Sequence, residues 1–260
     1  MKIFVVGAGI VGSMIARELS KYDIELHIIE KKPDIAWGVT KANSAILHSG
    51  YDDPVGSIRA KFCSRGNLLY TDISKELDVE IKRLGSYVVA FSEKEIKTLE
   101  RLKKQGEING VTKLEIIERS ELLSREPNLN PNVKAALWAP TAGIIEPWEM
   151  AIAAIENSAM NGAILHLNEE VVDIEVKNKK LKKLVTDKGE YEADVVINAA
   201  GLFADEIANM TGAEPAFKIF PRKGEYILLD KKLGTLGNSI IFPIPTEKSK
   251  GILVLPTVDG

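Results

Sequence analysis

Two stretches hold residue types whose spacing could do chemistry. The first is Gly7-Ala8-Gly9-Ile10-Val11-Gly12, a full GxGxxG, with Glu30 following 18 residues after Gly12. Gly7 permits a tight turn. Gly9 lets backbone N–H groups approach a pyrophosphate at a helix N-terminus, and Gly12 lets helix and strand pack closely. Glu30 is placed to accept hydrogen bonds from ribose hydroxyls and would repel a 2′-phosphate. The second stretch is KANSAILHSGYDD, residues 41 to 53, a polar loop holding His48, one of only 3 histidines. From its residues alone it is either an ordinary loop or a segment facing a bound cofactor.

Elements must position these residues. KIFVVGAGIVGSMIARELSKY reads as an apolar strand, Ile3 to Val6, a Gly-rich turn, and a helix with Ile10, Met14, Ile15 and Leu19 apolar. IELHIIEKK is a second short strand ending in acid. The two strands and helix make a βαβ unit of about 30 residues. A GxGxxG that follows a strand and opens a helix is a dinucleotide fingerprint. FAD and NAD both use it, so it does not choose between them. Two features favour FAD. One is INAAGLFADEIA, residues 197 to 208, a second strand–small turn–helix with Ala199-Ala200-Gly201 at the turn. The other is the loop after Lys31, where an ordinary NAD domain would start another crossover helix.

Further along, periodicity predicts a helix over 54–78 with Ile58, Phe62, Leu69 and Ile73 broadly on one face. SYVVAFS reads as a strand, 93–106 as a charged helix with Ile96, Leu99 and Leu102 inward, and ERSELLSREP as a short helix stopped by Pro127. VKAALWAP is a predicted strand and TAGIIEP a loop. A helix runs from Pro147 to a Gly162 C-cap. Four strands are expected between 164 and 198, with turns at Lys177 to Lys180 and at Asp187-Lys188-Gly189. LFADEIANMTG is a short helix; FKIFPRKGEYILLD, NSIIFPIP and GILVLPTVDG are further strands. Nucleotide-type elements thus occupy 1–85 and 147–210, and strand-rich material occupies 86–146 and 211–260. The expected architecture is α/β: a discontinuous Rossmann-like FAD-binding domain interleaved with a mixed-sheet α+β substrate domain.

Net charge is −3, which gives no general pull toward nucleic acid or anionic membrane. The single cysteine, Cys63, excludes an internal disulfide framework and a Cys-based metal cluster, and no metal site is expected. No apolar run approaches the roughly 20 residues of a membrane span, and no signal peptide is evident. A cytoplasmic location is expected, with peripheral attachment at an inner membrane left open. GILVLPTVDG reads as a strand entering a turn, so the chain is expected to be a fragment of a longer protein.

Gly7 to Gly12 with Glu30, NSAILHSGYDDPVGSIRAKFCSRGN, INAAGLFADEIA and FPRKGEYILLD together resemble the D-amino-acid-oxidase-like flavoproteins. Within them the resemblance is closest to FAD-dependent glycerol-3-phosphate dehydrogenases and oxidases and to L-2-hydroxyglutarate oxidases. It implies non-covalent FAD contacted by Gly7, Ala8, Gly9, Ile10, Val11, Gly12, Glu30, Lys31 and Thr40. Asn43, Ser44 and Ala45 would line the pyrophosphate and flavin ring. Val172 would offer its backbone to the adenine, and Ala200 and Gly201 would pass close to the dinucleotide. His48 would lie near flavin and substrate as base or hydrogen-bond partner. On a strand, Arg222, Gly224 and Tyr226 share one face, so Arg222 is a candidate for an anionic substrate group, with Tyr226 beside it and Lys248 a further candidate. Family members continue past a strand like GILVLPTVDG with more of the substrate site.

The reaction this implies is oxidation of sn-glycerol 3-phosphate to dihydroxyacetone phosphate by hydride transfer to flavin. The alternatives are oxidation of an L-2-hydroxy acid such as L-2-hydroxyglutarate, or an FAD-binding fragment of a larger protein or electron-transfer complex with no turnover alone. The partners implied are a small anionic substrate and an electron acceptor: oxygen, quinone or a protein.

Overall fold

The computed structural model describes residues 1–178, 180–212, 217–233, 236–245 and 251–258. Strand β1 (Lys2–Val6) leads into helix α1 (Ile10–Leu19) and strand β2 (Glu25–Glu30). The short β3 (Ile46–Leu47) precedes α2 (Ile58–Glu76), β4 (Ile81–Lys82) and β5 (Ser86–Ala90). Next come α3 (Glu93–Ile108), β6 (Glu115–Glu118), α4 (Arg119–Arg125), β7 (Ala135–Ala139) and β8 (Gly143–Ile145). Helix α5 (Pro147–Met160) is followed by β9 (Ile164–Leu167), β10 (Val171–Lys177), β11 (Lys180–Thr186) and β12 (Glu190–Glu192). The rest comprises β13 (Val195–Asn198), α6 (Ala204–Met210) and β14 (Ile240–Pro243). The chain forms two compact units, Met1–Ser44 with Pro147–Tyr226, and Ala45–Glu146 with Ile227–Gly260.

In the first unit a parallel sheet runs β13-β1-β2-β9. β1 and β2 are near-continuous apolar runs because both their faces are covered. Ile3, Val5, Leu26 and Ile28 pack with Ala16 of α1 and Ile155 of α5. Phe4, Val6 and Ile29 turn the other way, onto Val171, Ile174 and Leu184 of the antiparallel β10-β11-β12 sheet and Ile207 of α6. Fully burying each large side chain stabilises by about 1.5–3 kcal/mol, so the sheet anchors the unit and its end loops are available for a site. The chain leaves β1 toward β2 on one side and returns as β13 on the other, which opens a crevice at the carboxyl ends of these strands.

In the second unit the sheet order is β14-β5-β7-β6, with β14 parallel to β5 and the other pairs antiparallel. Val88, Leu137 and Ile240 pack on Leu99 and Leu102 of α3; Tyr87, Val89 and Ala136 pack on Leu122 of α4. Ser57 caps α2 by accepting the Ala60 N–H at 3.1 Å. Ser92 caps α3 by accepting the Glu95 N–H at 3.3 Å, while the Glu95 carboxylate accepts the Phe91 N–H at 2.6 Å. A small antiparallel sheet, β3-β8-β4, delivers the chain to residue 48.

Several expectations are corrected. Residues 45–85 belong to the second unit because β3 and β4 both pair with β8, inside TAGIIEP, which is a strand and not a loop. The boundary expected at 210 falls after Tyr226. Residues 164–198 hold five strands rather than four. On α2 the apolar residues Ile58, Phe62 and Leu69 are exposed, and the buried residues are Ala60, Asn67 and Ser74. Polar bonding, not an apolar stripe, docks that helix. FKIFPRKGEYILLD is not a strand over 217–230, since no neighbouring strand bonds to it among the described residues. Among the described residues of GILVLPTVDG, 251–258, Val254 bridges Ile241 and no strand forms.

Candidate functional site

The Gly-rich turn is set by backbone packing. Gly7 has φ of +104°, and a Cβ there would stand 2.5 Å from the Ala199 carbonyl oxygen. A Cβ at Gly12 would stand 1.9 Å from the Gly7 oxygen. Gly9 is extended; a Cβ there would meet Thr40 Oγ1 at 3.1 Å, and that same oxygen accepts the Ile10 N–H at 2.9 Å. Gly9 therefore serves Thr40 as well as any ligand. Buried Thr40 sits in a 3-10 turn, Val39–Lys41, which Asn43 holds by donating from Nδ2 to the Val39 and Thr40 carbonyls at 3.0 and 2.8 Å. Gly9 has no side chain with which to cap α1, and the Ile10 N–H is taken by Thr40 instead.

Glu30 closes the other side. Its Oε2 accepts the Ala8 N–H and its Oε1 the Lys32 N–H, both at 2.9 Å. The carboxylate is thus oriented by backbone, with lone pairs left for hydroxyl donors. Lys31 reaches Glu170 at 3.3 Å and lies 3.6 Å over the Phe203 ring. Ala199 N–H donates to the Val6 carbonyl at 2.9 Å, which brings Ala200 and Gly201 beside the first turn. Gly201 has φ of +58° and open space where a Cβ would be. Val172 is the extra residue of a β-bulge between Val171 and Asp173. Bulges commonly re-aim the chain beside sites. Val11 stands 61% exposed at the rim.

Ser44 ends the first unit, and Ala45 opens the second in a left-handed conformation, φ +57°, while its carbonyl accepts the Ile145 N–H at 3.0 Å. His48 lines a cavity of about 210 Å³ with Asp52, Asp53, Arg59, Cys63 and Phe242. Its ring centroid lies 6.0 Å from that of Phe242. Asp53 is buried and ion-paired with exposed Arg59 at 2.8 Å, so this cation is already neutralised. Burial raises the pKa of Tyr51, keeping its phenol neutral. The backbone around His48 is irregular, and its carbonyls end on side chains. Asn67 Nδ2 donates to the His48 and Thr141 carbonyls, both at 2.9 Å. Gln105 donates to Tyr51 at 3.0 Å, and Asn109 to Gly50 and Asp53 at 3.0 and 2.7 Å.

Of the residues predicted from sequence, Gly7 to Gly12, Glu30, Lys31, Thr40, Asn43, Ala200 and Gly201 gather around one crevice of the first unit. His48 belongs to the second unit. Arg222 and Tyr226 are exposed and lie outside any strand, so they do not share a strand face. Lys248 lies outside the described residues. Asn67, Arg83, Gln105 and Asn109 were not foreseen; for Asn67 the signal was a polar residue on the inward face of a helix, while Arg83 lies outside any helix and Asn109 ends α3. Among the described residues no cluster of His, Cys, Asp or Glu could hold a metal ion, and no helix is long and apolar enough to cross a membrane.

Residues 2–260 match the family model described as FAD dependent oxidoreductase, DAO. The chain belongs to the DAO family of FAD-dependent oxidoreductases. It is 46% identical over 258 residues to a glycerol 3-phosphate dehydrogenase of Caloramator mitchellensis, covering 99% of this chain and 53% of that protein. It therefore spans about half the length of that relative. It is 31% identical over 265 residues to a glycerol 3-phosphate oxidase of Mycoplasma genitalium, covering 68% of it. The dithionite-reduced L-alpha-glycerophosphate oxidase of Mycoplasma pneumoniae, solved with FAD bound, matches with a TM-score of 0.84 at 26% identity, over 100% of this chain and 69% of that one. The fingerprint shared by NAD and FAD is thus an FAD fingerprint here. The residues present fit that cofactor: a side-chain-free turn at a helix N-terminus, an oriented carboxylate at Glu30, and open space at Gly201.

Proposed function

We propose that this chain binds FAD at the crevice of β1 and β13 and acts in oxidising sn-glycerol 3-phosphate to dihydroxyacetone phosphate. The first-turn amides of α1 would meet the pyrophosphate and Glu30 the ribose hydroxyls. Val172 would offer backbone to the adenine, Ala200 and Gly201 would flank the dinucleotide, and Ser44 and Ala45 would approach the flavin. FAD, when bound, supplies a hydride acceptor. His48 takes the hydroxyl proton of the substrate alcohol as the carbinol hydrogen leaves with its electron pair, which balances a two-electron oxidation to the ketone. A guanidinium matches phosphate geometry, so Arg222 is the candidate for the substrate phosphate, with Tyr226 and Lys248 as accessory candidates.

The observation that carries this reading is His48 lining a cavity of the second unit, in a chain 46% identical to a glycerol 3-phosphate dehydrogenase. Anaerobic mixing of the FAD-loaded full-length protein with sn-glycerol 3-phosphate should bleach the flavin absorbance; an unbleached spectrum sinks the proposal. A guanidinium suits a carboxylate as well as a phosphate, so an L-2-hydroxy acid is the second reading. Faster bleaching by L-2-hydroxyglutarate than by glycerol 3-phosphate would select it.

A further inference from the structure

We propose that Asn67 is a positioning residue for His48, and that Arg83 fixes the direction in which Asn67 acts. This rests on the role given to His48 above. Asn67 is buried in the middle of α2, where asparagine is a poor helix former and a buried amide must find partners. Its Oδ1 accepts from Arg83 Nη1 at 2.9 Å. A guanidinium only donates, so the amide oxygen must face Arg83 and the NH₂ must face the other way. There it meets the His48 and Thr141 carbonyls, with the Leu47 carbonyl at 3.4 Å. Arg83 is itself held by the Asn67 and Thr141 carbonyls at 2.7 and 2.6 Å and by Thr71 Oγ1 at 2.7 Å.

The neighbouring contacts repeat the pattern. One turn earlier on α2, the Cys63 thiol points to the same His48 carbonyl at 3.7 Å. From α3, Gln105 and Asn109 take the carbonyls of residues 50, 51 and 53. The carbonyls of residues 48 to 53 are therefore set by donors from α2 and from the end of α3. Fixing the His48 carbonyl fixes the Cα beside it, and with it the path of the imidazole into the cavity. Packing alone would ask only for shape; here buried Asn67 and half-buried Gln105 and Asn109 are each aimed at carbonyls.

The test compares Asn67→Asp, His48→Ala and their double variant in the FAD-loaded full-length protein. Asn67→Asp keeps the volume and the Arg83 contact but turns an oxygen toward the His48 and Thr141 carbonyls. Flavin reduction at saturating sn-glycerol 3-phosphate should slow about 10- to 100-fold with KM little changed, the scale of a small misplacement of a reacting group. His48→Ala should slow it about 100-fold or more. The double variant should be no slower than His48→Ala, and the pH profile of Asn67→Asp should move. Arg83→Lys is the second variant, with the same signature at about tenfold.

A wild-type rate in Asn67→Asp beside a slow His48→Ala overturns the positioning role alone. Additive losses in the double variant do the same, as does loss of the fold in both Asn67→Asp and Arg83→Lys. A wild-type rate in His48→Ala overturns the His48 role and the positioning role together, while bleaching by the substrate would still stand.

Discussion

At Gly7 to Gly12 the chain is held by side chains that are missing, and at residues 48 to 53 by side chains that reach in from elsewhere. The first region packs backbone on backbone, with Gly12 against Gly7 and Gly7 against Ala199. The second hangs its carbonyls on Asn67, Gln105 and Asn109. One is a turn that opens a helix and the other an irregular loop, and both hold residues proposed above to meet a ligand. A region built by omission has no substitute for glycine; a region built by donors distributes its strength over several residues and should fail in steps.

That contrast can be broken by substitution. The largest effect is expected at Gly12→Ala, whose methyl lands on the Gly7 oxygen; unfolding free energy should drop on the order of 3 kcal/mol in a denaturant titration, with FAD binding lost. Asn109→Ala should cost about 2 kcal/mol, since two carbonyls lose their donor, yet FAD affinity by fluorescence should hold. Equal damage to FAD binding from both variants would erase the distinction drawn here. Thr40→Val removes the acceptor of the Ile10 N–H and should cost about 1 kcal/mol, read from the same titration.

The glycine region was legible in sequence because its physics is local: a strand, three glycines and a helix lie within one short stretch, and Glu30 follows at the expected spacing. The second strand–turn–helix at Ala199 to Gly201 was legible for the same reason. The donor region was not. Nothing near His48 in the chain announces Asn67, Arg83 or Asn109, and periodicity gave α2 an apolar inner face where Asn67 and Ser74 are buried instead. Arg222 was given a strand face, but a segment becomes a strand only when a neighbour pairs with it, and among the described residues none pairs with 217–230.

The smallest expected effect sharpens the comparison by pH. His27 is buried, stacked on Phe4, and bonded to His166 at 2.9 Å and Glu25 at 3.1 Å; burial lowers its pKa below the ordinary 6.5. His166 in turn faces Glu169, whose N–H donates to the Glu30 carbonyl at 3.1 Å. Since the unfolded chain binds the His27 proton more readily, its stabilising contribution is complete above 6.5 and declines as pH falls toward the folded value. Hydrogen exchange at residues 30–32 and 168–170 should therefore quicken below pH 6.5, with less change at 48–53, and His27→Gln should blunt the difference. An equal response in both regions would refute it.

The interleaving of the two units also sets a timetable for synthesis. β1 pairs with β13, and the Lys2 N–H bonds Asp194 across 192 residues. At about 5–20 residues per second, β1 waits roughly 10 to 40 seconds on the ribosome for its neighbour. The middle of the second unit emerges during that wait, but its own sheet is completed only when β14 joins β5. Each of the two four-stranded sheets keeps an open edge until a strand made long after its first arrives, so the nascent chain carries an exposed template for mispairing over that interval.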